Sequence, residues 1–251
     1  KVNSFPKELE NCIMDYFSKM SYDITSEIKN NEIIYRSDVR CAVEDYLRPS
    51  KAESLYSNLI AIMDKFDLLV YHGTRIINRS LIEKNGLRIN DWKRYSTSLT
   101  SVFKDIGWSD YVIEEILKCV EVEYKRKYSS RNAQLYFFSS LNLIRGKYTG
   151  YEQFCENIGG ELVKWALEDK YPEIYNLLKK KGEAVFVKFK LPFASIESYI
   201  KESIIYQFVC YYAAKEFFDF VYEVEFDGMT SQDVSPNNIL KILACPMDIV
   251  I

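Results

Sequence analysis

The chain has 251 residues, of which 48% are hydrophobic, and it carries a formal charge of −3. It is long enough to bury a sizeable core, and its charge excludes the overall basic surface of a typical nucleic-acid-binding protein, although a local basic patch is still compatible with it. His72 is the only histidine, which excludes zinc centres with several histidine ligands.

The cysteines, apolar runs and glycines indicate the cellular compartment, the lack of a membrane partner and the lack of phosphate-loop chemistry. Six cysteines are scattered without a C-x-x-C spacing, which predicts reduced thiols in a cytoplasmic protein. The longest nearly uninterrupted apolar run, 204–214, is far shorter than the roughly 20 residues of a membrane helix, so we expect no membrane partner. The nine glycines form neither a P-loop nor a G-x-G-x-x-G pattern, so phosphate-loop and dinucleotide-fold chemistry are unsupported.

The first 66 residues carry three helical patterns. Apolar residues recur at helical spacing after Pro6 and again after Ser37. A third helix is predicted to follow the capping box that begins at Ser50. Together these patterns predict a helical N-terminal subdomain over residues 1–66, and residues 67–251 form the second predicted domain.

From residue 67 onward, short apolar runs alternate with helical patterns. Strands are predicted at 68–71, 95–99, 134–139, 183–189 and 220–226. A helix over 76–84 is expected to end at Asn85 and Gly86, because both residues tolerate the left-handed conformation of a C-cap. The stretch 195–218 fits a helix, although 203–210 alone would also fit a buried strand, and we favour the helix.

Residues 70–87, VYHGTRIINRSLIEKNGL, resemble the opening of many ADP-ribosyltransferase domains. In that family a strand ends in a histidine followed by Gly-Thr, and a helix and a Gly-Leu step come next. The related NAD-using RNA 2′-phosphotransferases share this pattern, so the resemblance indicates a superfamily rather than one reaction. It implies an α+β fold, with an ADP-ribosyltransferase-like split β-sheet core over 67–251 behind the helical subdomain.

The resemblance also implies a site for NAD as co-substrate. His72 would hydrogen-bond a ribose hydroxyl, and the Gly73 backbone would approach the nicotinamide amide. Thr74 would add a hydroxyl contact or cap the next helix. The competing interpretation is a histidine satisfied within the core and followed by a turn glycine.

Two tyrosines are candidates for stacking on the nicotinamide ring. Tyr95 opens a Tyr-Ser-Thr-Ser run that fits the family's second strand, in which Ser98 would fix a neighbouring side chain. The run departs from the family pattern, since it usually accompanies an arginine on the first strand, where this chain has His72. Tyr136, in the run LYFFSS, is the second candidate, and both tyrosines also fit ordinary core or surface positions.

Transfer of ADP-ribose requires a carboxylate near the ribosyl cation. The family places it on a late strand, which favours Glu223 and Glu225 as catalytic residues, because alternate strand positions share one face. Glu161, after two glycines at the predicted opening of a helix, is a third candidate, and Glu202 becomes one only if its segment is a strand. The competing interpretations are a solvated acidic strand face and, for Glu161, the usual acidic preference of a first helical turn.

These residues imply an NAD-dependent ADP-ribosyltransferase that modifies a macromolecular acceptor, protein or nucleic acid, without a metal. By analogy with bacterial members of the family we expect a toxin or phage-defence effector, whose N-terminal helices would gate the cleft or bind a neutralising protein partner. An NAD-dependent RNA 2′-phosphotransferase is one alternative, for which Arg75 and Arg79 are the basic residues near the motif. A catalytically inactive binding module is the other.

Overall fold

A computed structural model describes residues 5–127, 132–145 and 153–245. The fold is a mixture of helices with a five-stranded antiparallel sheet, which confirms the α+β class. The more specific prediction of an ADP-ribosyltransferase-like split sheet stays a prediction. Among the residues that the structure describes, no helix is both long enough and apolar enough to cross a bilayer.

The helices are α1 (Lys7–Ser18), α2 (Tyr22–Lys29), α3 (Arg36–Leu47), α4 (Glu53–Met63), α5 (Arg79–Asn85), α6 (Trp92–Ile106), α7 (Asp110–Arg126), α8 (Leu141–Arg145), α9 (Gln153–Glu156), α10 (Gly160–Leu167), α11 (Pro172–Lys180) and α12 (Ser198–Phe217). The strands are β1 (Asp67–Ile76), β2 (Leu135–Phe138), β3 (Glu183–Pro192), β4 (Asp227–Thr230) and β5 (Ile239–Ala244).

Contacts along the chain group it into two compact units. The first unit contains Lys1–Leu68 and Pro192–Phe226, and the second contains Leu69–Leu191 and Asp227–Ile251. The first unit therefore combines the N-terminal helices with a much later segment. The domain boundary expected near residue 66 stays a prediction.

The first unit is organised around α12. Helices α1, α3 and α4 each pack against it, and their apolar faces are buried, as at Leu9, Val43 and Leu59. Helix α12 itself buries apolar residues on several sides, which is expected of a helix surrounded by others. The three predicted N-terminal helices are confirmed as α1, α3 and α4, the helix expected over 195–218 is confirmed as α12, and α2 is an addition. The capping box predicted at Ser50 is wrong, because the N-cap of α4 is Ala52, which makes no side-chain hydrogen bond to the helix.

The sheet of the fold has the strand order β4-β2-β1-β3-β5, with β1 at its centre. Strand β1 pairs antiparallel with β2, aligning Tyr71 with Phe138. Strand β2 also pairs antiparallel with β4, and β3 pairs antiparallel with β5. Alternate residues of a strand face opposite sides. Val70 is buried on one side, and Gly73 and Arg75 are buried on the other.

Helices of the second unit form an apolar core of their own. Helix α10 packs closely on α7, α6 contacts α7, and α11 contacts α10. Leu99 and Phe103 of α6 are buried in this core beside residues of α7 such as Ile116 and Val120.

Two of the predicted strands are wrong. Residues 95–99 lie inside α6, which begins after Asp91, whose side chain accepts a hydrogen bond from the backbone N–H of Arg94. Residues 220–226 form no strand, and β4 starts only at Asp227. The segment pairs with no strand, yet it still buries an apolar side chain, Tyr222, and exposes a polar one, Glu223.

Candidate functional site

His72 lies in the second half of β1 and is half-buried. Its Nδ1 atom is 2.8 Å from the carbonyl oxygen of Tyr136 on β2. Because a carbonyl oxygen can only accept, we assign the ring proton to Nδ1, which donates this bond. Burial lowers the pKa of His72 and outweighs the carbonyl, which raises it. The imidazole is therefore neutral at pH 7, and its Nε2 atom is an acceptor without a hydrogen-bond partner among the described residues.

Gly73 faces the opposite side of the sheet from His72. A Cβ atom at this position would lie 2.9 Å from Sγ of Cys155 and 3.5 Å from Cβ of Phe154, both in α9. The glycine therefore allows α9 to approach the sheet closely. The interpretation of Gly73 as a turn glycine is wrong, because it lies within β1. Its predicted approach to nicotinamide stays a prediction.

Thr74 continues β1 and does not cap a helix. The strand extends to Ile76, and α5 starts only at Arg79. The N-cap of α5 is Asn78, whose side-chain oxygen accepts a hydrogen bond from the backbone N–H of Ser80. The capping role predicted for Thr74 is therefore wrong, and only the predicted hydroxyl contact is left to be tested. The predicted end of the helix at Gly86 is confirmed, since Gly86 is its C-cap with a φ of 73°.

Tyr136 meets His72 through its backbone and not through its ring. Strand alternation from the aligned pair Tyr71 and Phe138 places the Tyr136 ring on the side opposite His72. There the ring stacks on Phe154, with centroids 6.0 Å apart and an interplanar angle of 30°. One face of the aromatic ring is thus already covered by protein. The prediction that it stacks on nicotinamide stays untested.

Tyr95 and Ser98 lie on a helix, α6, and not on the strand that was expected to carry them. The Tyr95 hydroxyl donates to the carbonyl oxygen of Gly159 at 2.5 Å, and burial raises the pKa of this tyrosine. Its ring contacts Trp92 in the helical core. Ser98 is exposed. Tyr95 therefore ties α6 to the turn before α10, and the ligand contacts predicted for both residues stay predictions.

Glu161 stands in the first turn of α10, so the predicted helix opening is confirmed. Gly159 and Gly160 precede it with φ values of 84° and 64°, in the left-handed region that favours glycine. The side-chain nitrogen of Asn157 donates to the carbonyl oxygens of Ile158 and Gly160 at 2.9 and 3.1 Å. These bonds fix the turn that presents Glu161, a position at which a helix favours negative charge.

The other acidic candidates belong to the first unit. Glu225 forms an ion pair with Arg36, in which Nη1 of Arg36 lies 3.3 Å from Oε2 of Glu225. Glu223 is exposed and has no hydrogen bond or ion pair within the described residues. The two glutamates do not share a strand face, because no strand forms there. Glu202 lies in α12, so the strand on which its candidacy depended is wrong.

The two arginines near the motif are bound to protein groups. Arg75 is buried, and it donates from Nε to the carbonyl oxygen of Cys155 at 3.1 Å and from Nη1 to the two carbonyl oxygens of residues 181–182. Arg79 forms an ion pair with Glu183. Both side chains thus hold neighbouring elements to β1 and α5, and nothing in these contacts favours phosphate binding.

Sequence reasoning missed Arg36, whose guanidinium binds Gln207 and Glu225. These partners are 171 and 189 positions away along the chain, so no local pattern reveals them. The only local signal is that a cation begins α3, where the helix dipole disfavours positive charge.

Comparison of the chain with protein-family models, with curated proteins and with solved structures finds no match. Within residues 5–127, 132–145 and 153–245, no group of three or more His, Cys, Asp or Glu side chains is arranged to hold a metal ion.

Proposed function

We propose that the protein is an NAD-dependent ADP-ribosyltransferase that modifies a macromolecular acceptor, protein or nucleic acid, as a cytoplasmic toxin or phage-defence effector. The observation that carries the proposal is the state of His72. Its Nδ1–H is committed to the Tyr136 carbonyl, and its lowered pKa keeps Nε2 unprotonated. Nε2 is thus an acceptor of fixed orientation, suited to a hydroxyl donor such as a ribose of NAD.

The proposed reaction exchanges one bond at the nicotinamide ribose for another. The bond between C1 of this ribose and the ring nitrogen breaks, and its electron pair stays on nitrogen, so nicotinamide leaves as a neutral molecule. The acceptor atom bonds to C1, and its proton passes to a carboxylate and then to water. The ribose carries positive charge in the transition state. A neutral His72 can hold the ribose without adding a second positive charge beside it.

The carboxylate of the reaction is sought among Glu161, Glu223 and Glu225. Of these, Glu161 stands in the same unit as His72, whereas Glu225 is paired with Arg36. Substitution of each by glutamine removes the negative charge and keeps the size of the side chain. The residue that acts on the ribosyl cation is the one whose glutamine variant loses nicotinamide release without losing stability.

The test measures nicotinamide released from NAD, with protein, RNA and DNA supplied as acceptors. His72→Asn places an amide N–H close to the position of Nδ1, so it can still donate to the Tyr136 carbonyl, but it offers nothing in place of Nε2. We expect this variant to keep the melting temperature of the wild type. It should release nicotinamide at least ~10-fold more slowly, because it loses one hydrogen bond to the ribose. If the wild type releases no nicotinamide with any acceptor, the proposal is wrong and the binding module is favoured.

A further inference from the structure

Phe154 of α9 contacts both strands that carry the hydrogen bond between His72 and Tyr136. A Cβ atom at Gly73 of β1 would lie 3.5 Å from Cβ of Phe154. The ring of Phe154 lies 6.0 Å from the ring of Tyr136 and 5.5 Å from that of Phe138, measured between centroids. Since Gly73 and the Tyr136 ring face away from His72, Phe154 packs on β1 and β2 from the side opposite the imidazole.

Helix α9 is anchored to β1 and β3 through the residue that follows Phe154. The carbonyl oxygen of Cys155 accepts a hydrogen bond from Nε of Arg75 on β1 at 3.1 Å. The Cys155 thiol donates to the carbonyl oxygen of Val185 on β3 at 3.7 Å. Cys155 is buried, so water does not compete for these bonds. The backbone of Phe154 is thus held over β1 and β3, and its ring extends from there to β2.

The backbone pairing between β1 and β2 is short. Among the described residues, the register of these strands aligns one pair, Tyr71 with Phe138, whereas β2 and β4 align over four pairs. A hydrogen bond between groups on two strands keeps its length only while the strands keep their spacing. Beyond the aligned pair, the spacing at Tyr136 therefore depends on side chains, with the imidazole of His72 on one side of the sheet and Phe154 on the other.

We propose that Phe154 is a positioning residue, which holds the Tyr136 carbonyl oxygen where Nδ1 of His72 donates to it and so keeps Nε2 directed toward the ribose hydroxyl. This inference rests on the proposed transferase function. The residues it names all belong to the second unit. Because the bond requires a proton on Nδ1, Phe154 also selects the tautomer in which Nε2 is an acceptor.

The first test compares Phe154→Leu with Phe186→Leu. Leucine keeps most of the apolar volume of phenylalanine but cannot stack on the Tyr136 ring. Phe186 is the matched control, because it lies on β3 in the same apolar core and is 1% exposed. We expect Phe186→Leu to lower the melting temperature at least as much as Phe154→Leu does, while leaving the Tyr136 carbonyl in place.

The tautomer of His72 is the readout, since a general loss of stability does not change it. His72 is the only histidine, so histidine labelled with 15N gives NMR signals from a single imidazole, and these distinguish a protonated nitrogen from a bare one. At about pH 8 the ring is neutral. We expect the proton on Nδ1 in wild type and Phe186→Leu. In Phe154→Leu at least ~20% of the molecules should carry it on Nε2, because one weakened hydrogen bond changes such an equilibrium several-fold.

Nicotinamide release connects the imidazole to the reaction. We expect Phe154→Leu to lower kcat/KM for NAD by about 3–10-fold, and Phe154→Tyr, which keeps the ring, to stay within about twofold of wild type. His72→Asn leaves no Nε2 to be placed, so adding Phe154→Leu to it should cause no further loss. Losses that multiply in the double variant would overturn the inference, because Phe154 would then affect activity by a route other than His72.

The two measurements separate a failure of the inference from a failure of the proposed function. If the wild type releases nicotinamide but Phe154→Leu keeps the tautomer of the wild type, the inference is wrong and the proposed function stands. If the wild type releases none with any acceptor, the proposed function is wrong, and the part of Phe154 in catalysis fails with it even where the tautomer shifts.

Discussion

His72 and Tyr136 are joined through a ring nitrogen and a backbone carbonyl oxygen, 2.8 Å apart on neighbouring strands. The bond does not use the side chain of Tyr136, which faces the other side of the sheet. The orientation of the imidazole is therefore set by the position of the β2 backbone beside β1.

We expect the free energy of unfolding to decrease on acidification because of His72. Burial lowers the pKa of His72 in the folded state below its ordinary value of 6.5. Between these two pKa values the unfolded chain binds a proton that the folded chain does not, so stability rises with pH across this window, by at most ~1.4 kcal/mol per pH unit, and this contribution is complete above the ordinary pKa.

Urea unfolding of wild type and His72→Asn, from about pH 5 to pH 8, measures this contribution. The chain has no other histidine, and both proteins carry the same carboxylates. We therefore assign a difference between the two pH profiles in this range to His72. The stability of wild type should fall more steeply than that of the variant below the ordinary pKa. Parallel pH profiles would contradict the lowered pKa.

Gly73→Ala should destabilise the protein by about 1–3 kcal/mol, because the new methyl group meets the Cys155 sulfur at 2.9 Å. Cys155→Ala removes that sulfur. In the double variant we therefore expect a favourable coupling of ~1 kcal/mol relative to the sum of the single changes, measured by urea unfolding. Gly107→Ala is the control, since nothing lies within 4 Å of its added Cβ, and its cost should add to that of Cys155→Ala. Additive costs for Gly73→Ala and Cys155→Ala would refute the contact.

The two arginines near the motif should differ sharply in their effect on stability. Arg75→Met removes the partner of three carbonyl oxygens, and we expect a cost of about 2–3 kcal/mol. Arg79→Met removes an ion pair whose side chains are 42% and 43% exposed, and we expect less than ~1 kcal/mol. Thermal and urea unfolding of both variants check the prediction, and equal costs would count against a structural role for Arg75.

The sequence predicts a helix or strand correctly when its pattern is contained in the stretch of residues considered. It predicts the wrong element when that stretch is shorter than the element. Residues 95–99 resemble a strand when taken alone, because aromatic and hydroxyl residues are common in strands. The wider stretch shows a helix: Asp91 caps it, Trp92, Tyr95, Leu99 and Phe103 recur every three or four positions, and Gly107 ends it in a left-handed conformation. The helical period is visible only over the 15 residues of α6.

The candidate site depends on contacts that are distant along the chain. The motif identifies His72, but its hydrogen-bond partner is 64 positions away and is a backbone atom, which no side-chain pattern reports. The alternation of 220–226 predicts a strand, whereas Arg36 and Gln207 hold the segment through side chains instead of a ladder. Local sequence patterns thus identify His72 and the segment 220–226, whereas their contacts depend on the fold.

The first unit is assembled from two stretches with about 120 residues of other chain between them. At a synthesis rate of about 5–20 residues per second, a ribosome makes α1 to α4 roughly 7–27 s before it begins α12. Throughout that interval the apolar residues of the early helices lack the helix that covers them. Nascent protein therefore needs protection from aggregation until residue 217 has emerged, and a product terminated before α12 keeps this surface exposed.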